Sequence, residues 1–294
     1  MNIKNSLSHR KQEPESGVLY IVGTPIGNLE DISRRASNIL RKVSLIACED
    51  TRTTKNLLDH LNITNRLVSF HKHSSQEKLK NLISKLEKGD SIALVSDAGM
   101  PSISDPGGVL IRTAKDKDID VITIPGPCAA ITALVSSGID SSKFTFYGFI
   151  PKSSKEREDV LRKIIENSHT SIIYESPKRI LKLLNDLKNL CNEEREVVVL
   201  KELTKRFEKH FGFKIDNVIE QLKISELKGE YTLVLSGNKK ILNKDDLIAK
   251  DLKKDLIDLM EAGLSHSSAS NYLSKKSGKS KNYVYKLILN NDLK

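Results

Sequence analysis

One continuous stretch decides the fold: Val18-Leu19-Tyr20-Ile21-Val22-Gly23-Thr24-Pro25-Ile26-Gly27-Asn28, an apolar run that leads into a loop rich in glycine and proline. Unbroken apolar runs with many β-branched residues are typical of strands that are buried on both faces of a parallel sheet. Glycine lets the backbone approach a neighbour closely, and proline fixes the shape of a loop. The stretch therefore predicts a buried strand whose carboxyl end opens onto a shaped loop.

The same pattern recurs along the first half of the chain. Further apolar runs occupy residues 45–47, 92–95 and 121–124. Leucines and isoleucines at helical spacing lie between these runs, at residues 56–61 and 77–86. Strands that alternate with helices predict an α/β fold with a mostly parallel sheet covered on both faces.

The second half repeats this alternation. The predicted strands are residues 144–149, 171–174, 197–201 and 231–235, and the predicted helices are residues 156–166 and 179–190. This pattern indicates a second α/β domain, joined to the first through Gly138 to Lys143. We therefore expect a disordered tail at residues 1–16, α/β domains at residues 17–140 and 141–238, and a helical module at residues 239–294.

The last segment has a different character, because it contains helical patterns and no strands. Residues 252–262 predict a helix that Gly263 ends, Ser267 or Ser268 is a possible cap of the next, and Gly278 precedes a third. Residues 239–294 hold twelve lysines and seven acidic residues in a chain of net charge +10. A basic balance favours a polyanion such as nucleic acid. A helix-turn-helix module and a plain helical cap both fit this pattern.

Several classes of protein are disfavoured by the sequence. No run approaches the roughly 20 apolar residues that a membrane span needs, and the polar amino terminus has no signal-peptide core, so we expect a cytoplasmic protein. Cys48, Cys128 and Cys191 are far apart and form no CxxC pair, which argues against disulfides and zinc clusters. The segment His71-Lys72-His73 has no third ligand nearby, so we expect no metal site.

Three glycine- and proline-rich loops follow predicted strands. They are residues 23–28, 97–107 and 125–130. Loops at the carboxyl ends of strands converge on the ligand crevice of an open α/β sheet. None has the P-loop pattern, and the first does not have the dinucleotide GxGxxG spacing. Because residues 91–111 contain Asp97 and Asp105 but no lysine or arginine, this region suits hydroxyls, amines or a cation better than phosphates.

Several ordered motifs resemble the tetrapyrrole methylase superfamily. They are Gly23-Thr24-Pro25-Ile26-Gly27-Asn28-Leu29, Ala47-Cys48-Glu49-Asp50-Thr51-Arg52, Ser96-Asp97-Ala98-Gly99 through Asp105-Pro106-Gly107, Pro125-Gly126-Pro127-Cys128-Ala129-Ala130, Tyr147-Gly148-Phe149-Ile150-Pro151, Tyr174-Glu175-Ser176-Pro177 and Lys201-Glu202-Leu203-Thr204-Lys205. The resemblance covers residues 17–237. One departure is Met100, where the family usually shows threonine; we expect little consequence, since family contacts in that loop are largely through the backbone.

Within the superfamily the chain resembles the branch that methylates ribosomal RNA. This likeness implies S-adenosylmethionine-dependent 2′-O-ribose methylation of a decoding-centre cytidine in small-subunit (16S) ribosomal RNA, within an assembled subunit, by a homodimer. It also implies that the cofactor lies in the cleft between the two α/β domains. The residues that it assigns to cofactor binding are Thr24, Pro25, Asp97, Gly99, Ile103, Ser104, Pro127, Ala130, Tyr147 and Thr232.

The matched motifs also contain candidates for catalysis. Relaying the proton of a ribose hydroxyl calls for a base, and Glu49, Asp50, Glu175 and Glu202 are the candidates. Lys201 is a candidate for stabilising the developing alkoxide. Alternatively, Glu49 and Asp50 form a structural ion pair with Arg52.

The candidate phosphate contacts are basic residues near the predicted loops. They are Arg34, Arg35, Arg52 and Lys55. Such residues contact phosphates in nucleic-acid complexes, but helix surfaces also carry them for solubility. Aromatic residues make up 5% of the chain and none is Trp, so the sequence predicts recognition of RNA by shape and phosphate contacts and not by a stacking platform.

Two other functions remain open at this level. The first is methylation of a small tetrapyrrole with the same cofactor cleft. The second is DNA-binding regulation through the carboxyl-terminal helices, which would leave the three loops without a purpose. The basic carboxyl-terminal segment and the Glu49 to Arg52 motif favour RNA over a tetrapyrrole.

Overall fold

A computed structural model describes residues 13–71, 74–105, 107–191, 195–238 and 244–289. Its described residues up to Val160, together with Thr170–Ser236, form one compact unit, and Leu161–His169 with the described residues from Gly237 onward form a second. The first unit contains two sheets of five strands each. The predicted domain boundaries after residues 140 and 238 stay predictions.

The first sheet is entirely parallel, in the order β3-β2-β4-β1-β5. Its elements are β1 (Leu19–Val22), α1 (Arg34–Lys42), β2 (Leu45–Cys48), α2 (Thr51–His60), β3 (Leu67–Ser69), α3 (Gln76–Glu87), β4 (Ile92–Val95), α4 (Gly108–Asp116), β5 (Val121–Ile124) and α5 (Ala129–Ser137), with a 3-10 turn at Leu29–Asp31. β1, β2 and β4 are buried along their whole length. Two apolar clusters cover the sheet, one containing Tyr20 and Ile46, the other Leu19 and Leu94. Burial on both faces explains why these strands are continuous apolar runs.

The second sheet is mixed, in the order β6-β7-β10-β8-β9. Its elements are β6 (Phe144–Phe149), α6 (Ser154–Glu166), β7 (Thr170–Glu175), α7 (Ile180–Leu190), β8 (Glu196–Lys201), β9 (Lys209–Lys214), α8 (Ile215–Lys223) and β10 (Tyr231–Leu235). β6 and β7 are parallel, whereas β10 is antiparallel to β7 and β8. Helix α5 packs its buried side chains, including Ala133 and Leu134, against this sheet. One helix of the first half thereby holds the second half in place.

The predicted α/β class is confirmed, with elements that the sequence pattern did not reveal. The unpredicted strands are β3, which has only three residues, and β9, most of whose residues are exposed. Neither presents the continuous apolar run that marks a buried strand. Helices α1, α4, α5 and α8 were also not predicted.

Three helices follow in the second compact unit: α9 (Lys244–Glu261), α10 (His266–Ser277) and α11 (Lys281–Leu289). Leu256, Leu273 and Val284 form their own small apolar cluster. The predicted ends are confirmed, because α9 stops before Gly263 and α10 is capped by Gly278 in the left-handed conformation. The predicted cap at Ser267 or Ser268 is wrong: the Ser265 hydroxyl caps α10 by accepting from the Ser268 N–H. Residues 239–243 and 290–294 of the predicted module lie outside the described residues.

The predicted disordered tail lies mostly outside the described residues, but residues 13–16 make specific contacts. Glu13 forms a two-bond pair with the Arg35 guanidinium. The Ser16 hydroxyl donates to the Gly89 carbonyl at 2.8 Å. The end of this segment is therefore bonded to the first sheet domain.

All three cysteines are free. Among the described helices, none combines the length and apolar character that crossing a membrane requires.

Candidate active site

The loops that follow β1 and β4 are joined at the carboxyl edge of the first sheet. The backbones of Thr24 and Gly99 exchange two hydrogen bonds, with N–O distances of 3.0 and 3.1 Å. The Thr24 hydroxyl also donates to the Ser96 carbonyl at 3.2 Å. Because β1 and β4 are adjacent parallel strands, their carboxyl ends meet where open α/β sheets bind ligands.

The loop after β5 packs against the loop after β1 through two glycines. A Cβ atom on Gly23 would lie 2.7 Å from the Gly126 Cα, and one on Gly126 would lie 2.8 Å from the Gly23 Cα. No side chain fits at these distances, so the loops approach each other only because both positions are glycine.

The second sheet contributes its own edge to the same place. Tyr231, the first residue of β10, pairs with Glu175 at the end of β7 and with Lys201 at the end of β8. The antiparallel direction of β10 thus brings the segment before it, which contains Gly229, to the carboxyl ends of its neighbours. Gly148 of β6 approaches the other sheet, since a Cβ there would lie 3.1 Å from the Ser104 hydroxyl.

These loops enclose a cavity of about 400 Å³, a volume within the usual range for small-molecule sites. Its walls are mostly apolar and include three carboxylates, Asp105, Glu175 and Glu230. The lining residues are Ile26, Ala98, Gly99, Met100, Ile103, Ser104, Asp105, Cys128, Ala129, Phe149, Tyr174, Glu175, Ser176, Pro177, Leu200, Leu203, Gly229, Glu230, Tyr231 and Thr232. No lysine, arginine or histidine is among these described lining residues. The cavity therefore suits a ligand with a positive charge and hydroxyl groups better than a phosphate.

Acidic side chains cluster beside this cavity. Burial, the charge of Glu49 and the charge of Asp97 raise the pKa of Asp105 to about 6, although a hydrogen bond to Ser96 opposes this. Burial and the nearby Asp97 also raise the pKa of Glu49. Asp97 itself accepts a hydrogen bond from the Asp50 N–H at 3.0 Å. The cluster disfavours additional negative charge at this end of the cavity.

Tyr174 links the two halves of the site. Its hydroxyl oxygen accepts a hydrogen bond from the Ala130 N–H at 3.0 Å. The ring makes edge contacts with Phe146 and Phe149, and burial raises the pKa of the phenol to about 12. Tyr174 therefore stays neutral and fastens β7 to the start of α5.

Glu175 is the most deeply buried acid of the cavity wall, with a side chain that is 0% exposed. Its Oε1 lies 2.6 Å from Nη2 of Arg179 and accepts from the Ser176 N–H at 2.7 Å. Its Oε2 is buried and has no hydrogen-bond partner in the described structure. A buried charged oxygen without a partner is costly, and such atoms commonly mark places where a ligand binds.

The residues predicted to bind the cofactor are arranged in two groups. Gly99, Ile103, Ser104 and Thr232 line the main cavity. Thr24, Pro25 and Asp97 line a smaller neighbouring cavity of about 180 Å³.

The remaining cofactor candidates lie at the margin of the cavity or outside its wall. Pro127 and Ala130 flank the lining residues Cys128 and Ala129. Tyr147 is not part of the wall, and Phe149 is; a β-bulge between Phe146 and Gly148 changes the register there and with it the direction of the side chains. The side chain of Met100, the departure from the family pattern, lines the cavity, so this position contributes more than backbone.

Of the predicted catalytic residues, only Glu175 lines the cavity. Asp50 caps α2 and pairs with Arg52, which lowers the pKa of Asp50 to about 2 and fits the structural interpretation. Lys201 donates to the Glu226 carbonyl at 2.6 Å. Glu202 bonds Lys205 at 2.9 Å and accepts the Glu230 N–H. Glu49 stands outside both the cavity wall and the Asp50–Arg52 pair.

The four predicted phosphate contacts are exposed and lie on the first turns of two helices. Arg34 and Arg35 begin α1, and Arg52 and Lys55 belong to the start of α2. Arg35 is held by Glu13 and Arg52 by Asp50. Those two guanidiniums must therefore exchange an existing partner for any phosphate.

Several residues of the cavity wall were not identified from the sequence. Asp105 and Tyr174 stood within recognised motifs, but nothing local showed that one would have a raised pKa or that the other would bond Ala130. Phe149, Leu200 and Leu203 appeared only as parts of strands and motifs. Their roles depend on which distant segments meet at the site.

The segment His71-Lys72-His73 is described only in part. His71 follows β3 in an irregular stretch, and Lys72 and His73 lie outside the described residues. Within the described parts of the chain, no group of three or more His, Cys, Asp or Glu side chains is arranged to hold a metal ion.

Comparison with known proteins gives a consistent result. Residues 18–219 match the family model for tetrapyrrole (corrin/porphyrin) methylases. The chain is 43% identical over 283 residues to ribosomal RNA small subunit methyltransferase I of Escherichia coli O157:H7, covering 96% of this chain and 98% of that protein. It is 39% identical over 273 residues to the protein of the same name from Synechocystis sp. strain PCC 6803, covering 93% and 98% respectively.

The fold is also found among solved structures. Diphthine synthase superposes with a TM-score of 0.60 at 13% identity, over 74% of this chain and 90% of that one. At this identity the likeness concerns the fold alone.

Proposed function

The chain belongs to the tetrapyrrole (corrin/porphyrin) methylase family, and on that premise we propose that it transfers a methyl group from S-adenosylmethionine to the 2′ hydroxyl of a decoding-centre cytidine in small-subunit (16S) ribosomal RNA. The observation that carries the proposal is the 43% identity to ribosomal RNA small subunit methyltransferase I over 96% of this chain and 98% of that protein. Agreement over nearly the whole of both chains includes the cavity and the loops around it.

The cavity fits the cofactor in size and charge. S-adenosylmethionine carries a sulfonium, an amino group and ribose hydroxyls, and the carboxylates and apolar walls of the cavity suit these groups. Gly99, Ile103, Ser104 and Thr232 would hold it in the main cavity, with Pro127 and Ala130 at the margin. Thr24, Pro25 and Asp97 would support it from the neighbouring cavity. When bound, the sulfonium supplies an electrophilic methyl carbon.

Glu175 is the candidate that we assign to the acceptor. Its unpartnered Oε2 can accept the hydrogen bond of the ribose 2′ hydroxyl and take up its proton as a general base. Arg179 and the Ser176 N–H hold Oε1, so the carboxylate keeps one orientation. Fixing the hydroxyl near attack distance supplies a further part of the rate enhancement. Asp50 and Glu202 are occupied in structural contacts, and Glu49 lies outside the cavity wall.

The partners follow from the same proposal. The acceptor would be ribosomal RNA within an assembled small subunit in the cytoplasm, and the net charge of +10 supports a polyanion partner. Arg34, Arg52 and Lys55 would contact phosphates near the loops. Ile131 and Val135 lie one turn apart on an exposed face of α5, which supports a homodimer that buries them.

The experiment that tests this function is transfer of labelled methyl from S-adenosylmethionine to unmodified small ribosomal subunits and to naked ribosomal RNA, followed by mapping of the label. We expect a 2′-O-methyl group on a decoding-centre cytidine. Label at a base or on another nucleotide would contradict the proposed acceptor. Absence of label on either RNA, with the cofactor bound, would point to a small-molecule acceptor.

A further inference from the structure

The segment between β8 and β9, which we name the β8–β9 loop (residues 202–208), is tightly braced. The Thr204 N–H donates to a carboxylate oxygen of Glu208 at 2.6 Å, and the Glu202 N–H donates to the Glu230 carbonyl at 2.9 Å. Glu202 and Thr204 have positive φ angles of 55° and 65°. Residues other than glycine keep this conformation only where the surroundings impose it, so the loop presents its side chains in fixed positions.

This loop lies at the rim of the cavity. Leu203 is part of the cavity wall. A Cβ atom on Gly27 would lie 2.4 Å from the Lys205 Cγ and 2.8 Å from the Thr204 hydroxyl. The loop is thus packed directly on the loop that follows β1, whose Ile26 also lines the cavity. An acceptor nucleotide that enters the cavity from this side passes the β8–β9 loop.

The loop exposes an aromatic ring beside an arginine. The Phe207 side chain is 67% exposed, and the guanidinium carbon of Arg206 lies 5.5 Å from its ring centroid. Single exposed apolar residues are common and by themselves need no explanation. An exposed ring next to a guanidinium, however, is the combination on which unpaired nucleobases stack in RNA-binding proteins.

The charges around the loop leave Arg206 available. Lys205 is bonded to Glu202 and Glu230, and Glu208 pairs with His210. Within the described residues, Arg206 forms no ion pair. Glu30 pairs with His60 across the neighbouring depression. The cation that remains for a phosphate or a base is therefore the one beside the exposed ring.

We propose that Arg206 and Phe207 form a platform that stacks an unpaired nucleobase of the RNA substrate next to the nucleotide in the cavity. This rests on the proposed function, because it requires RNA as the substrate. Aromatic and arginine residues also form centres of protein interfaces. RNA is favoured here because the platform lies at the cavity rim in a chain of net charge +10. The platform also differs from the expectation drawn from the low aromatic content, since one ring in the right place is sufficient.

The test compares steady-state methylation of unmodified small subunits by the wild type and by Phe207→Ala, Phe207→Tyr and Arg206→Gln. The control is Phe213→Ala, since Phe213 is 53% exposed and pairs with Val197, at the end of β9 away from the loop. Stacking energies predict that Phe207→Ala raises the KM for RNA by about fivefold or more. Arg206→Gln should raise it as well. Phe207→Tyr and Phe213→Ala should resemble the wild type, and the affinity for S-adenosylmethionine should be unchanged in all variants.

Two outcomes would overturn the platform while the wild type remains active on RNA. One is an unchanged KM in Phe207→Ala. The other is a change in oligomeric state in that variant with the same KM per active site, which would make the ring part of a subunit interface. A wild type that methylates neither subunits nor naked RNA would instead defeat the proposed function, so the two failures are distinguishable.

Discussion

Arg179 holds one carboxylate oxygen of Glu175 at 2.6 Å, and the other oxygen is buried in the cavity wall without a hydrogen-bond partner among the described residues. The two residues are one helical turn apart, with Glu175 at the end of β7 and Arg179 at the start of α7. The pair gives the acid a fixed orientation and leaves one lone-pair face for an incoming donor.

We expect Glu175→Gln to lower the rate of methyl transfer at saturating substrates by about 10²- to 10⁴-fold, the usual contribution of a general base. The amide keeps an acceptor for Arg179 but is a very poor base. Single-turnover transfer of labelled methyl measures the chemical step, and calorimetry measures cofactor affinity. Glu196→Gln, at an exposed position on β8, is the matched control. A normal rate, or a loss confined to cofactor affinity, would show that Glu175 does not serve as the base.

Arg179→Ala should lower the free energy of unfolding by about 3–5 kcal/mol, because it leaves a buried carboxylate without its counter-charge. Arg112→Ala is the comparison, since Arg112 pairs with Asp116 on the surface of α4 with side chains 80% and 56% exposed. Pairs of that kind contribute about 0–1 kcal/mol. Urea denaturation of both variants checks the difference. Equal losses would mean that the Glu175–Arg179 pair is effectively solvated.

Gly126→Ala should separate the loops after β1 and β5 and weaken cofactor binding. Its Cβ would lie 2.8 Å from the Gly23 Cα, which is backbone and cannot move aside alone. Forced contacts of this kind cost about 1–3 kcal/mol. Gly108→Ala is the matched control, because nothing lies within 4 Å of its Cβ; at the start of α4 it should be neutral or slightly stabilising. Thermal unfolding and cofactor calorimetry measure both effects, and indistinguishable variants would contradict this account of the loops.

Cofactor affinity should rise with pH between about pH 5 and pH 7, because burial and the nearby Glu49 raise the pKa of Asp105 from 3.8 to about 6. The folded state holds this proton more tightly than the unfolded chain, so through this group stability falls as the pH rises from about 4 to 6. Once ionised, the carboxylate attracts a sulfonium or amino group.

Calorimetry of S-adenosylmethionine binding at both pH values checks this expectation in the wild type and in Asp105→Asn. The variant should show a much weaker pH dependence. Glu49 is the other nearby acid with a raised pKa, and Glu49→Gln separates its contribution. The same pH dependence in wild type and Asp105→Asn would remove Asp105 from the binding site.

The strands of the first sheet were predictable because their signal is local. β1, β2, β4 and β5 are apolar runs that are mostly buried, and the loops after β1, β4 and β5 are marked by glycine and proline. The short β3 and the largely exposed β9 carry no such signal. Their strand conformation depends on hydrogen bonds to neighbours that are distant in sequence.

By itself the sequence determined the α/β class, the loops that form the site and the resemblance to methylases, since each is written in neighbouring residues. Only the tertiary structure decided which acids serve the cavity. It paired Asp50 with Arg52 and Glu202 with Lys205, left one oxygen of Glu175 without a partner, and placed Phe207 at the rim. Strand register and ion-pair partners depend on which distant segments pack together, and the free energy of such contacts cannot be read from residue spacing along the chain.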